Sequence, residues 1–138
     1  MRADEAGKEL AKCLLLSDER RPVTLVGFSF GARVVYSCLR ELARQQDIWE
    51  GNRVSASNST AEENKSSQSS FLPKKNKEEC LFEYDREPAS LVGDVIFIGL
   101  PRAIDKKVLT SCRRVTGGRL VNCYTTNDWL LSLMFVAR

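Results

Sequence analysis

A chain of 138 residues, 43% hydrophobic and 28% charged, has the makeup of one globular domain with a modest core. Its net charge of +3 comes without a basic stripe interleaved with aromatics, which argues against nucleic-acid binding. The apolar run at 129–136 is far short of the roughly 20 residues of a membrane-spanning helix, and no signal-peptide pattern opens the chain.

Residues 3–16 have helical character. Ala6, Leu10 and Leu14 recur at i, i+4 with Cys13 beside them, while Asp4, Lys8 and Lys12 repeat on what reads as the outward face. A charged loop leads to Pro22, and Val23-Thr24-Leu25-Val26 has the β-branched, apolar character of a buried strand. Gly27-Phe28-Ser29-Phe30-Gly31 follows, a G-x-S-x-G pattern, and a helix is expected from Ala32 to about Gln46 with Val35, Leu39 and Leu42 on one face. Strand, G-x-S-x-G and helix together are the context of a nucleophile elbow, a strained turn that lifts one serine hydroxyl clear of a sheet. Gly27 and Gly31 would let strand and helix approach while Ser29 holds an unfavourable backbone conformation. The competing reading is an ordinary strand-to-helix turn with Ser29 as the helix N-cap. Phosphate binding is disfavoured, since neither G-x-G-x-x-G nor G-x-x-x-x-G-K-[ST] occurs.

From Gly51 to Glu79 the character changes: residues 55–70 hold seven serines and no aromatic or large aliphatic side chain. A disordered surface insertion is expected over about 51–79, rather than a linker between domains, because neither flank alone supplies enough strands. N-x-[ST] matches at Asn58 and Asn64 fall in this tract, where chance matches are frequent. Order resumes near Leu91, with a buried strand at 94–99, a short helix at 108–115 stopped by Gly117-Gly118, a strand at 119–125, a polar loop Thr126-Asn127-Asp128 and an apolar pattern at 129–135. The five cysteines are odd in number and widely spaced, with no C-x-x-C, so buried free thiols are expected and neither a metal nor a cofactor is.

Alternating helices and strands imply an α/β fold: a parallel sheet with helices on both faces and ligands at the carboxyl ends of its strands. Ser29 and Asp128 both follow strands at such ends. In an α/β-hydrolase the acid follows the nucleophile and the histidine comes last. Asp128 is therefore in place as the acid, with a helix N-cap ahead of Trp129 as the equal alternative; Asp94 and Asp105 are weaker candidates. Phe30 would supply one oxyanion N–H. A serine nucleophile normally needs a histidine base, and this sequence has no histidine.

The run Arg21-Pro22-Val23-Thr24-Leu25-Val26-Gly27-Phe28-Ser29-Phe30-Gly31-Ala32-Arg33-Val34-Val35 resembles the transmembrane and coiled-coil domain-containing protein 4 family, whose α/β-hydrolase-like domain is of poorly defined function. Gly118-Arg119-Leu120-Val121-Asn122-Cys123-Tyr124 and Asn127-Asp128-Trp129-Leu130-Leu131 resemble that family's next strand and its Asp-Trp-Leu-Leu element. The resemblance covers about 1–48 and 91–136. It implies Ser29 as nucleophile, Asp128 as acid, a histidine beyond Arg138, membrane segments before Met1, and a membrane location with the domain facing the cytosol. On that basis 1–138 is expected to be a partial α/β-hydrolase domain, truncated at both ends. The activity expected is hydrolysis of an ester or lipid by the full-length protein. The alternative is a non-catalytic module that binds a partner in membrane trafficking, with the serine tract as a possible contact. Nucleotide binding on a βαβ half is a third, weaker reading.

Overall fold

The computed structural model describes residues 2–19, 21–59 and 86–125, with 54–59 described by backbone alone. In chain order these form α1 (Arg2–Leu16), β1 (Val23–Phe28), α2 (Phe30–Ser59), a 3-10 turn (Pro88–Ser90), β2 (Val92–Ile98), α3 (Lys106–Arg114) and β3 (Leu120–Cys123). The strands make one parallel sheet in the order β1-β2-β3. The fold is α/β, with helices flanking a parallel sheet. The remaining part of the serine tract, residues 60–85, and the apolar pattern at 129–135 lie outside the described residues.

Register links the strands row by row. Val26 pairs with Ile96 and Ile96 with Val121; Phe28 pairs with Ile98 and Ile98 with Cys123. Residues level with one another in a sheet point to the same face. One face is closed: Val95 and Phe97 are wholly buried, together with Leu39 and Leu42 of α2 and Cys112 of α3. Tyr36 meets Phe97 edge-on, with ring centroids 6.3 Å apart. Burying each such leucine contributes about 2 kcal/mol.

Helices on both faces were expected, and among the described residues that is not what is found. Helix α2 packs on β1, β2 and α3, and α1 packs on α2, so all three lie to one side. The other face carries Val26 at 59% exposure, Phe28 at 72% and Val121 at 38%.

The apolar stripe of α1 also differs from expectation. Its buried residues are Gly7, Ala11 and Leu15, one position on from the Ala6-Leu10-Leu14 row, of which Leu10 and Leu14 are half-buried and Ala6 is exposed. Close approach decides this: a Cβ on Gly7 would fall 2.5 Å from both the Ser37 Cβ and the Val34 carbonyl oxygen, so only glycine lets α1 lie this near α2. The Asp4-Lys8-Lys12 row consequently borders a groove beside α2, with Lys8 still exposed.

Helix α2 continues past the expected stop near Gln46 to Ser59, into the stretch expected to be disordered. Polar contacts sustain the extra turns. Gln46 donates to Glu50 and Glu87, both at 2.9 Å, and accepts from the Ala89 N–H at 3.0 Å. Arg114 of α3 pairs with Asp47 and Glu50 at 3.0 Å, and Arg53 lies 4.7 Å over the Trp49 ring. The described cysteines divide: Cys38 and Cys112 are buried free thiols, as expected, while Cys13 and Cys123 are free but exposed; Cys80 lies outside the described residues. Burial, reinforced by Cys112 and Glu41 nearby, pushes the Cys38 thiol up to about 12; burial, opposed by Arg40, pushes Cys112 up to about 11.

Candidate active site

In a parallel sheet all strands end at one edge, and here that edge gathers Ser29 after β1, Gly99 after β2 and Tyr124 after β3. Ser29 has a φ of 50°, in the left-handed region that side-chain-bearing residues seldom occupy. Two backbone hydrogen bonds hold it there. Its N–H donates to the Ile98 carbonyl at 2.8 Å, and its own carbonyl accepts from the Arg33 N–H at 3.3 Å. The first bond ties the turn to β2 and the second opens α2. Gly27 makes the turn possible, because a Cβ at that position would meet the Ala32 Cα at 2.5 Å.

Ser29 is half-buried and its hydroxyl makes no hydrogen bond to another described residue, so the expected alternative of a side-chain N-cap has no hydrogen bond behind it. Phe30 starts α2, where the first N–H groups have no partner inside the helix and carry the positive end of its dipole. Gly99, with a φ of 60°, adds no side chain beside Ser29, and a Cβ built there would meet nothing within 4 Å.

Of the carboxylates weighed from sequence, two have structural employment. Asp105 caps α3, its side chain accepting from the Lys107 N–H at 3.0 Å. Asp94, near the amino end of β2, accepts from the Arg119 N–H at 2.6 Å. Asp128 lies outside the described residues, three positions beyond the last of them.

Sequence reasoning passed over Arg33. It is 9% exposed, one turn along from Ser29, and makes a two-point contact with Asp4 of α1 at 2.8 and 3.2 Å. The hydrogen bond from Arg33 holds the Asp4 carboxyl below the usual carboxylate range, and the same bond raises the Arg33 guanidinium. Ser37 donates to the Asp4 carbonyl at 2.9 Å, so α1 is pinned to the first two turns of α2. The signal was legible: Arg33 interrupts an otherwise small and apolar run, Gly31-Ala32-Arg33-Val34-Val35.

Compared with known proteins, residues 1–50 and 78–138 match the family described as "Protein of unknown function (DUF726)". The chain belongs to this family. It is 34% identical over 137 residues to "Transmembrane and coiled-coil domain-containing protein STS1" of Oryza sativa subsp. japonica, an alignment covering 99% of this chain and 15% of that protein. It is 31% identical over 99% of its length to "Probable lipase MIL1" of Saccharomyces cerevisiae, covering 9% of that protein. It is 28% identical over 97% of its length to "Uncharacterized membrane protein F35D11.3" of Caenorhabditis elegans, covering 15% of that protein. The chain thus spans a small part of each relative's length. No solved structure matches it. The expected resemblance to the transmembrane and coiled-coil family holds, and several relatives bear membrane names; among the described residues no helix is long and apolar enough to cross a membrane.

Proposed function

We propose that the DUF726 residues described here form part of an α/β-hydrolase-like domain in which Ser29 is the nucleophile for hydrolysis of an ester or lipid. The observation that carries this reading is the conformation of Ser29: a serine at φ 50° between a parallel strand and a helix N-terminus, with its hydroxyl unengaged by any described residue. Such strain is retained where it serves a purpose. In the proposed reaction the Ser29 oxygen attacks the substrate carbonyl as a histidine takes its proton, the Phe30 N–H at the start of α2 stabilises the oxyanion, the alcohol leaves with that proton, and water then hydrolyses the serine ester to release the acid. Asp128 orients a histidine, which residues outside these 138 must supply. The name of the yeast relative, a probable lipase, agrees with the reaction class, and the membrane names of others suit a lipid substrate and a membrane location.

The test is labelling of the full-length protein by a fluorophosphonate probe, with and without Ser29→Ala. Labelling of the unmodified protein alone supports the reading. Absence of labelling in a folded, full-length protein overturns it. The absence of histidine from this sequence favours a second reading, a hydrolase-like module that binds a protein partner and does no chemistry. In that case Ser29→Ala changes no ester-hydrolysing activity while partner recovery persists.

A further inference from the structure

We propose that the groove between α1 and α2 is a binding site for a phosphate monoester dianion. The argument uses neither Ser29 nor the hydrolase reading. A cleft of about 660 Å³ opens between the two helices. Helix α1 lines it with Lys8 and Lys12, α2 with Arg40 and Arg44, and the segment after β2 with Arg102. The only carboxylates in the lining are Asp4 and Glu41, so five cations against two anions leave an excess of +3. The whole chain has a net charge of +3. The cleft alone thus carries an excess as large as the net charge of the whole sequence.

The pairing within the cleft sharpens this. Asp4 is already engaged from behind by the buried Arg33, which is not part of the lining. Glu41 accepts from Arg44 at 2.7 Å, and Lys12 turns to Glu9 at 2.6 Å. Lys8 and Arg40 are exposed and make no ion pair with a described residue. Lys8 stands on α1 and Arg40 on α2, so positive charge lines both walls of the groove, with Glu41 near enough to Lys8 to feel its charge. Arg102 is preset: its guanidinium lies 5.5 Å over the Tyr36 ring and 3.7 Å from Asp4, which restrains its planar fork. The Ser37 hydroxyl adds a polar group to the lining.

This donor set selects among anions. A carboxylate brings one charge. A phosphate monoester brings nearly two near neutral pH, with three acceptor oxygens, and so serves cations on both walls at once. The volume exceeds that of a bare ion and falls in the range of sites for small organic ligands, leaving room for the group that carries the phosphate. That group is a lipid headgroup or a soluble phosphate ester.

Flotation of the full chain with phosphatidylcholine vesicles separates bound protein, which rises, from aggregate, which sinks. Vesicles containing phosphatidic acid, a monoester, are compared with vesicles of equal surface charge containing phosphatidylserine, a diester. Preferential flotation with phosphatidic acid is expected. It should weaken about 30-fold in the double variant Lys8→Gln/Arg40→Gln, at roughly 1 kcal/mol per cation and 1.4 kcal/mol per tenfold. The charge-preserving pair Lys8→Arg/Arg40→Lys should retain it. Both positions are exposed, so circular dichroism of the variants should match the parent. Competition by soluble glycerol 3-phosphate assigns the site to soluble esters; resistance to it assigns the site to the lipid. Equal flotation with both lipids, binding undiminished in Lys8→Gln/Arg40→Gln, or flotation with neither lipid together with no calorimetric binding of glycerol 3-phosphate overturns the proposal.

Discussion

Ser29 occupies a backbone region that costs an ordinary residue about 1–2 kcal/mol, and two hydrogen bonds to β2 and α2 hold it there. Glycine adopts that conformation without strain but loses more freedom on folding, by about 0.4–1 kcal/mol. Ser29→Gly is therefore expected to leave stability unchanged or raise it by up to about 1.6 kcal/mol in chemical denaturation while abolishing any Ser29-dependent labelling, which separates the chemistry of the position from its scaffolding. Asp4 acts in the opposite sense. Its pKa is lowered by the Arg33 hydrogen bond, so it contributes stability that is present above the unfolded carboxyl value of 3.8 and lost as pH falls through the still lower folded value. Asp4→Asn should cost about 1.5–3 kcal/mol near pH 7, because the buried Arg33 loses its charged partner. Denaturation at a series of pH values should show the gap between parent and Asp4→Asn narrowing below about pH 4.

At the scale of elements, much of the order was legible and the surfaces were not. The start of β1 at Val23 and the buried row Val35, Leu39 and Leu42 on α2 follow directly from β-branching and helical spacing. The buried stripe of α1 was missed because periodicity ranks side chains by hydrophobicity, whereas Gly7 is buried for having none. The end of α2 was misplaced for a related reason. Gly51, Asn52 and the serines look like breakers, and the contacts that carry the helix onward come from Arg114, Glu87 and Ala89, far along the chain. The lower part of the site was readable in G-x-S-x-G; the Asp4–Arg33 pair, separated by 29 residues, was not. Close packing at Gly7 makes its own prediction. Gly7→Ala forces α1 away from α2 and should cost about 1–3 kcal/mol, read from the denaturation midpoint, although alanine is the better helix former.

For the whole molecule, the one-sided placement of the helices is decisive. Val26, Phe28 and Val121 form part of an open apolar sheet face, and β1 and β3 are both edges among the described strands. The 138-residue chain by itself is expected to self-associate. Sedimentation velocity should show species larger than the 15.5 kDa monomer, and substituting Val26 and Phe28 by threonine should shift the distribution toward monomer. A monomeric parent with a sharp thermal transition would show the face to be covered.

The ties made by Gln46 and Arg114 have a consequence for how the molecule can be assembled. Both margins of the 60–85 stretch are fastened to the body, one by α2 itself and the other by Glu87 and Ala89. No described contact depends on the covalent thread between them. Severing the backbone within 60–85 would leave two complementary halves, one bearing β1 and α2 and the other β2, α3 and β3, that recognise each other through parallel pairing and a shared core. The described contacts on either side of 60–85 therefore suffice to hold the two halves in register.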